Sequence, residues 1–202
     1  MARILGVDPG TWRTGAGILD VTGSQHRLVH AGVIAVTQDL AEPQRLLIIF
    51  RSLLLLIREH RPDVLALENV FYHKDIRATI KIGEARACAM LAAAEQGVPV
   101  VEYLPTRVKQ AVTGNGRASK EQVAQMVCRL LAMKDPAALD ATDALAVALC
   151  HAHLKGAAPV RAGKSGESDW YKKQVKAALA AGLNKASGKK TNDVSLSVRK
   201  TR

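Results

Sequence analysis

The stretch Asp63 to Glu68 reads DVLALE, four apolar residues closed by a carboxylate. Such a run, stopped by Arg61-Pro62 before it and followed by a long helical pattern, fits a strand covered on both faces. An acid at the end of that strand is costly unless it is paired or bound to a cation. A second run, Arg3 to Asp8 (RILGVD), ends in the same way before a Pro9-Gly10 turn. Two buried strands that each end in an acid restrict the chain to a sheet with its chemistry at one end, because functional groups of open α/β sheets gather at the carboxyl ends of parallel strands.

The remaining pattern fills in the layout. Thr14 to Asp20 and Arg27 to Ala35 read as strands joined by a Val21-Thr22-Gly23-Ser24 turn. Pro43 to His60 and Asp75 to Gln96 have helical periodicity, and Gly97 closes the second. Val98 to Tyr103 reads as a fifth strand, and Pro105 to Gly116 as a short helical piece with a Gly-Asn-Gly loop. Ser119 and Gln122 have capping-box spacing, so a helix is expected over Lys120 to Met133. Asp135-Pro136 breaks it, and a last helix covers Asp140 to Leu154. Strands four and five follow helices, so they should be parallel to their neighbours. The expected fold class is α/β, a mixed five-stranded sheet flanked by helices.

Charge divides the chain. Residues 1–154 carry 17 Lys and Arg against 15 Asp and Glu, whereas residues 155–202 carry 12 against 3, so nine of the eleven net positive charges lie in the tail. One folded domain over 1–155 and a basic, disordered tail over 156–202 are expected. Within the tail, Trp170 to Leu183 has the spacing of a short amphipathic helix. An excess of this size points to a polyanionic partner. Cys88, Cys128 and Cys150 lie in apolar contexts without metal-ligand spacing and read as buried thiols of a reducing compartment. The longest apolar run, Leu46 to Ile57, is interrupted by Arg51 and is too short for a bilayer. With the strand pattern opening at once, a cytoplasmic protein without membrane contact is expected.

Four acids are the candidate site: Asp8, Glu68, Asp140 and Asp143. Adjacent strands would set Asp8 beside Glu68, and a three-residue step puts Asp140 and Asp143 on one helix face. Singly, Asp140 could be an N-cap and Asp8 an Asx-turn residue. Together, four carboxylates repel unless a cation joins them. Oxygen-only ligands suit Mg²⁺, with Mn²⁺ able to substitute. Two such ions about 3.5–4 Å apart can clamp a phosphodiester. Phosphate contacts are expected from Lys74, Arg77 and Lys81 in or just before the long helix, and from Arg107, Lys109, Arg117 and Lys120 around the Gly114-Asn115-Gly116 loop. Phe71, three residues after Glu68, reads as a base-stacking aromatic. The small-residue face of the 75–97 helix could pack on a twofold mate.

The stretches GVDPGTWRTGAGILD, DVLALENVFYHKDIRATIKIGEARA, VEYLPTRVKQAVTGNGRASKEQVAQMV and DATDALAVALCHAH closely resemble the RuvC family of bacterial Holliday junction resolvases. They span nearly all of residues 1–154. The resemblance implies an RNase H-like fold, a homodimer and paired, symmetric nicks in strands of like polarity at a four-way DNA junction. It implies that Asp8, Glu68, Asp140 and Asp143 bind two Mg²⁺ per site. Phe71 matches the family's stacking aromatic, and Lys109 and Lys120 match basic residues near the scissile phosphates. It also implies work with the RuvA–RuvB branch-migration complex. The chain departs from the family pattern at Asp75, Ala87 and Thr142 without loss of an acid. A sugar-kinase-like ATPase shares the first strand and turn, but needs a second lobe for which there is no room. A protein that holds junctions without cutting them is a second alternative, and a YqgF-type relative of the same fold, implicated in RNA processing, is a third, against which the extended ALENVF and VEYLP…VKQAV stretches argue.

Overall fold

A computed structural model describes residues 1–37, 39–69, 76–133 and 137–154. The chain divides into two units, Met1–Gly166 and Glu167–Arg202. The described residues all belong to the first, so the expected tail and its Trp170–Leu183 segment lie outside them.

Five strands form one sheet: β1 (Ala2–Asp8), β2 (Arg13–Thr22), β3 (Gln25–Ala35), β4 (Val64–Glu68) and β5 (Val100–Tyr103), in the order β3-β2-β1-β4-β5. The first three pair antiparallel through short connections. β4 lies parallel to β1, and β5 parallel to β4. The mixed sheet expected from the sequence is therefore present. The β2–β3 hairpin is longer than its apolar pattern suggested, because a tight turn with Gly23 at φ 60° lets pairing run to Thr22 and Gln25.

Helices cover both faces. Helices α1 (Glu42–His60) and α2 (Ile76–Glu95) pack on one side, where Leu5, Val7, Ile18, Leu65 and Leu67 point toward Ile49, Leu53 and Ala89. On the other side α3 (Pro105–Thr113), α4 (Lys120–Leu130) and α5 (Leu139–His153) cover Ile4, Leu19, Ala66 and Val101. Alternate residues of β1 and β4 thus serve opposite cores, as a period of two requires.

Helix α5 is the central helix of its layer and is buried almost all round. It is seated by glycines. A Cβ on Gly6 would collide with the Ala144 carbonyl oxygen, and one on Gly15 with the Asp140 carbonyl oxygen. Gly6 faces Gly17 across β1 and β2, and Asp8 faces Gly15. The bare strip brings the helix backbone down onto the sheet and sets the first turn of α5 over the end of β1.

Several ends differ from expectation. β5 starts at Val100 rather than Val98, because the Val98 N–H still bonds the Ala93 carbonyl at 2.9 Å around a left-handed Gly97. α4 stops at Leu130, three residues early. Ala132 turns left-handed (φ 50°), and Met133 N–H closes onto the Cys128 carbonyl at 2.9 Å, the same kind of stop without a glycine to announce it. Ser119 and Gln122 do form the reciprocal cap of α4. Cys88 and Cys150 are buried free thiols, while Cys128 is only partly buried.

Candidate active site

Parallel pairing sets Val7 against Leu67, so the next residues, Asp8 and Glu68, stand side by side at the carboxyl ends of β1 and β4. Both are half-buried. Their carboxyls are close enough to perturb each other's ionisation. Burial, and then the charge of Asp8, push the Glu68 carboxyl up to about 8. Asp8 is also raised, first by burial and then by Asp143, while Glu68 and the charge of Lys120 pull it back. The two carboxyls therefore titrate as a coupled pair, and their mutual repulsion and burial favour keeping a proton on the pair.

Asp140 and Asp143 lie in the first two turns of α5. The N-cap of α5 is Ala138, with no side-chain cap, so Asp140 is not spent on capping. Instead its Oδ2 accepts from Arg13 Nε at 2.6 Å. Asp143 Oδ2 accepts from Lys120 Nζ at 2.9 Å. Lys120, the first residue of α4, faces the positive end of its own helix dipole, and the hydrogen bond to Asp143 raises its pKa despite partial burial. Its charge also reaches Asp8 and Glu68.

The structure thus brings the four expected acids and Lys120 into one electrostatic cluster. Among the described residues no three acid, His or Cys side chains form a ready cage for one ion. Asp140 and Asp143 are turned toward their cationic partners instead. Arg13 is the member of this cluster that sequence reasoning missed. The available signal was its position at the start of β2, the strand paired with the acid-bearing end of β1.

The other expected contacts are spread around the same layer ends. Arg77 and Lys81 are exposed and one turn apart at the start of α2. Lys109 is half-buried on α3. Arg117 is exposed in the loop before α4, its backbone N–H bonded to Asn115 Oδ1 at 3.0 Å. Phe71 and Lys74 lie outside the described residues.

Comparison with known proteins agrees with this geometry. Residues 4–151 match the family described as crossover junction endodeoxyribonuclease RuvC. The Halorhodospira halophila protein of that name is 48% identical over 166 residues, covering 82% of this chain and 98% of that one. The Pelotomaculum thermopropionicum protein is 46% identical over 151 residues, covering 74% and 92%. Among solved structures, Thermus thermophilus RuvC in complex with a Holliday junction substrate superposes with a TM-score of 0.72 at 35% identity, over 76% of this chain and 94% of that one. The yeast mitochondrial Holliday junction resolvase Ydc2 shares the fold, with a TM-score of 0.54 at 13% identity over 75% and 79%. An acid-ended parallel strand pair beneath a glycine-seated helix, in a sequence this similar, places the chain in the RuvC family of crossover junction endodeoxyribonucleases.

Proposed function

We propose that this chain resolves Holliday junctions in homologous recombination and DNA repair, cutting two strands of like polarity by symmetric nicks. The observation that carries the reading is the Asp8–Glu68 pair, held beside Asp143 and Lys120 at one sheet end in a member of this family.

The donor set suits a hard divalent cation. All four acids offer oxygen alone, and the raised Asp8 and Glu68 carboxyls mark negative charge that is crowded and short of compensation. Asp8, Glu68, Asp140 and Asp143 would hold Mg²⁺, two ions per site, with Mn²⁺ as a substitute. Bound ions of this class supply Lewis-acid activation of the attacking water and neutralise charge at the leaving oxygen. The chain's own residues do the rest. Glu68 in its ionised form would be a second anionic ligand beside Asp8. Asp140 and Asp143 would complete the donor set, and their partners Arg13 and Lys120 would lie beside the scissile phosphate as two cations. Lys120 then faces the phosphodiester from a helix start, where a bound anion is favoured. Hydrolysis leaves 5′-phosphate and 3′-hydroxyl ends.

Arg77, Lys81, Lys109 and Arg117 supply phosphate contacts that position the duplex arms without reading sequence. Lys74 belongs to the same set, and Phe71 stacks on an unpaired base. The tail over 156–202 adds positive charge that favours a polyanion.

A homodimer supplies the second nick. On α2, Ile76, Ile80, Gly83, Ala87 and Leu91 fall on one stripe opposite the buried Ala85, Cys88, Ala89 and Ala92. Ile76, Ile80 and Leu91 are 62%, 55% and 61% exposed. An apolar, small-residue stripe of this kind fits an isologous contact. The RuvA–RuvB complex is the expected branch-migration partner. Among the described residues no helix is long and apolar enough to cross a membrane, and a cytoplasmic site of action is proposed.

The test is cleavage of a mobile four-way junction in Mg²⁺ beside linear duplex of the same sequence. Paired nicks in the junction alone, abolished in Asp8→Asn with binding kept, are expected. Tight binding with no nick in Mg²⁺ or Mn²⁺ would instead favour the binding-only alternative.

A further inference from the structure

The turn from Pro9 to Trp12 joins the acid-bearing end of β1 to β2, and it carries an indole that the chemistry above leaves unused. Trp12 is 37% exposed, and among the described residues it is the one aromatic found exposed. Its position is fixed. The Trp12 carbonyl accepts from the Val36 N–H at 2.9 Å. The Arg45 guanidinium carbon lies 4.1 Å from the ring centroid.

Arg45 is itself unusual. It sits in the first turn of α1 and is 7% exposed. Nη1 donates to the Leu40 carbonyl at 2.8 Å, and Nη2 stands 3.6 Å from the Glu42 carboxylate. Its Nε has no hydrogen-bond partner. A buried cation with an unanswered donor is costly, and the indole face offsets part of that cost. Arg45 in turn backs the indole and restricts its rotamer. The next residue, Arg13, reaches Asp140. A pre-ordered aromatic with more than a third of its surface open thus stands one residue from Arg13, on the α1 side of the sheet end that carries the acids.

We propose that Trp12 is a stacking platform for an unpaired nucleobase of the bound DNA, next to the cleaved strand, and that it helps set the sequence preferred for cleavage. The proposal rests on the resolvase reading above. A junction opened at its crossover exposes unstacked bases, and every base has a face that an indole can cover. A ring already held by Arg45 loses little further freedom on stacking. Stacking energies also differ between bases, which gives a preference without hydrogen-bond readout.

The chain has two tryptophans, Trp12 and Trp170, so Trp170→Phe leaves Trp12 as the sole reporter. This protein is titrated with a four-way junction in EDTA, with binding followed separately by gel shift. Saturating junction should quench Trp12 emission and protect it from acrylamide. Trp12→Ala should slow cleavage of the preferred junction sequence about 5- to 150-fold, the span of one base–aromatic stack, and flatten the difference between sequences. Trp12→Phe should keep most of both. Bound junction that leaves emission and acrylamide access unchanged overturns the proposal, as does Trp12→Ala with wild-type rates and preference. If Trp12→Ala fails to fold once Arg45 loses its cover, the fluorescence of the Trp170→Phe protein and the rates of Trp12→Phe still decide. A wild-type chain that binds no junction overturns the resolvase reading and this proposal with it. One that binds and cuts while Trp12 stays silent overturns this proposal alone.

Discussion

Arg13 Nε lies 2.6 Å from Asp140 Oδ2, joining the start of β2 to the start of α5 across 127 residues of sequence. Both side chains are substantially exposed, so the pair adds little to folding, at most about 1 kcal/mol. Its larger effect is expected at the site, where Arg13 would compete with a bound cation for the same carboxylate. Arg13→Gln should leave the metal-free melting temperature within a few degrees of wild type. It should lower the Mg²⁺ concentration at which Mg²⁺ raises that temperature half-maximally. An unchanged or higher midpoint would mean that Arg13 does not compete for Asp140.

Glu68 gives the fold a pH dependence whose sign is fixed by its environment. Its folded pKa, about 8, lies above the ordinary value of 4.5 that the unfolded chain regains. Between those values the folded state keeps a proton that the unfolded state has lost, so stability falls as pH rises through this window. Glu68→Gln removes the titration. In EDTA the variant should melt several degrees above wild type at pH 9, with the gain fading toward pH 5. It should not cleave at any pH. A gain that is the same at both pH values would show that Glu68 is not held protonated by its surroundings.

Gly15 holds the geometry that makes Asp140 useful. Its missing Cβ admits the Asp140 carbonyl, so Gly15→Ala forces backbone against backbone where no side chain can yield. Overpacking of this kind costs about 1–3 kcal/mol or more. The melting temperature should fall by several degrees, and cleavage should fall further than stability explains because the first turn of α5 is lifted off β1. Circular dichroism melts and single-turnover cleavage at a temperature where the variant stays folded separate the two effects. Full activity at that temperature would show that α5 tolerates displacement.

The acids were legible in the sequence because burial makes them expensive. An acid after VLAL, another after ILGV and a three-residue Asp140–Asp143 step each imply a reason to exist, and parallel pairing of β1 and β4 joins the first two. Strand directions followed from connection lengths, whereas the order β3-β2-β1-β4-β5 did not. Arg13 was not legible, because its partner is set by the crossing of α5 over β2, which no local pattern encodes. Nothing local in the sequence marks Gly6, Gly15 and Gly17 as the seat of α5, since that role depends on the helix packed above them. The stop of α4 was missed because an alanine, Ala132, takes the left-handed turn usually given to glycine.

The stripe of Ile76, Ile80 and Leu91 on α2 leads to a prediction about assembly. If it seats a second copy, a charge placed there must be desolvated at the contact, which costs several kcal/mol per ion. Ile80→Glu and Leu91→Glu should each shift the protein from dimer to monomer in sedimentation equilibrium. The melting profile of the monomer should change little, because neither side chain belongs to the core. Junction cleavage should fall with the dimer fraction, and any residual products should be single nicks rather than pairs, since each α/β unit carries one acid cluster. Variants that stay dimeric and cut in pairs would place the twofold contact on another face.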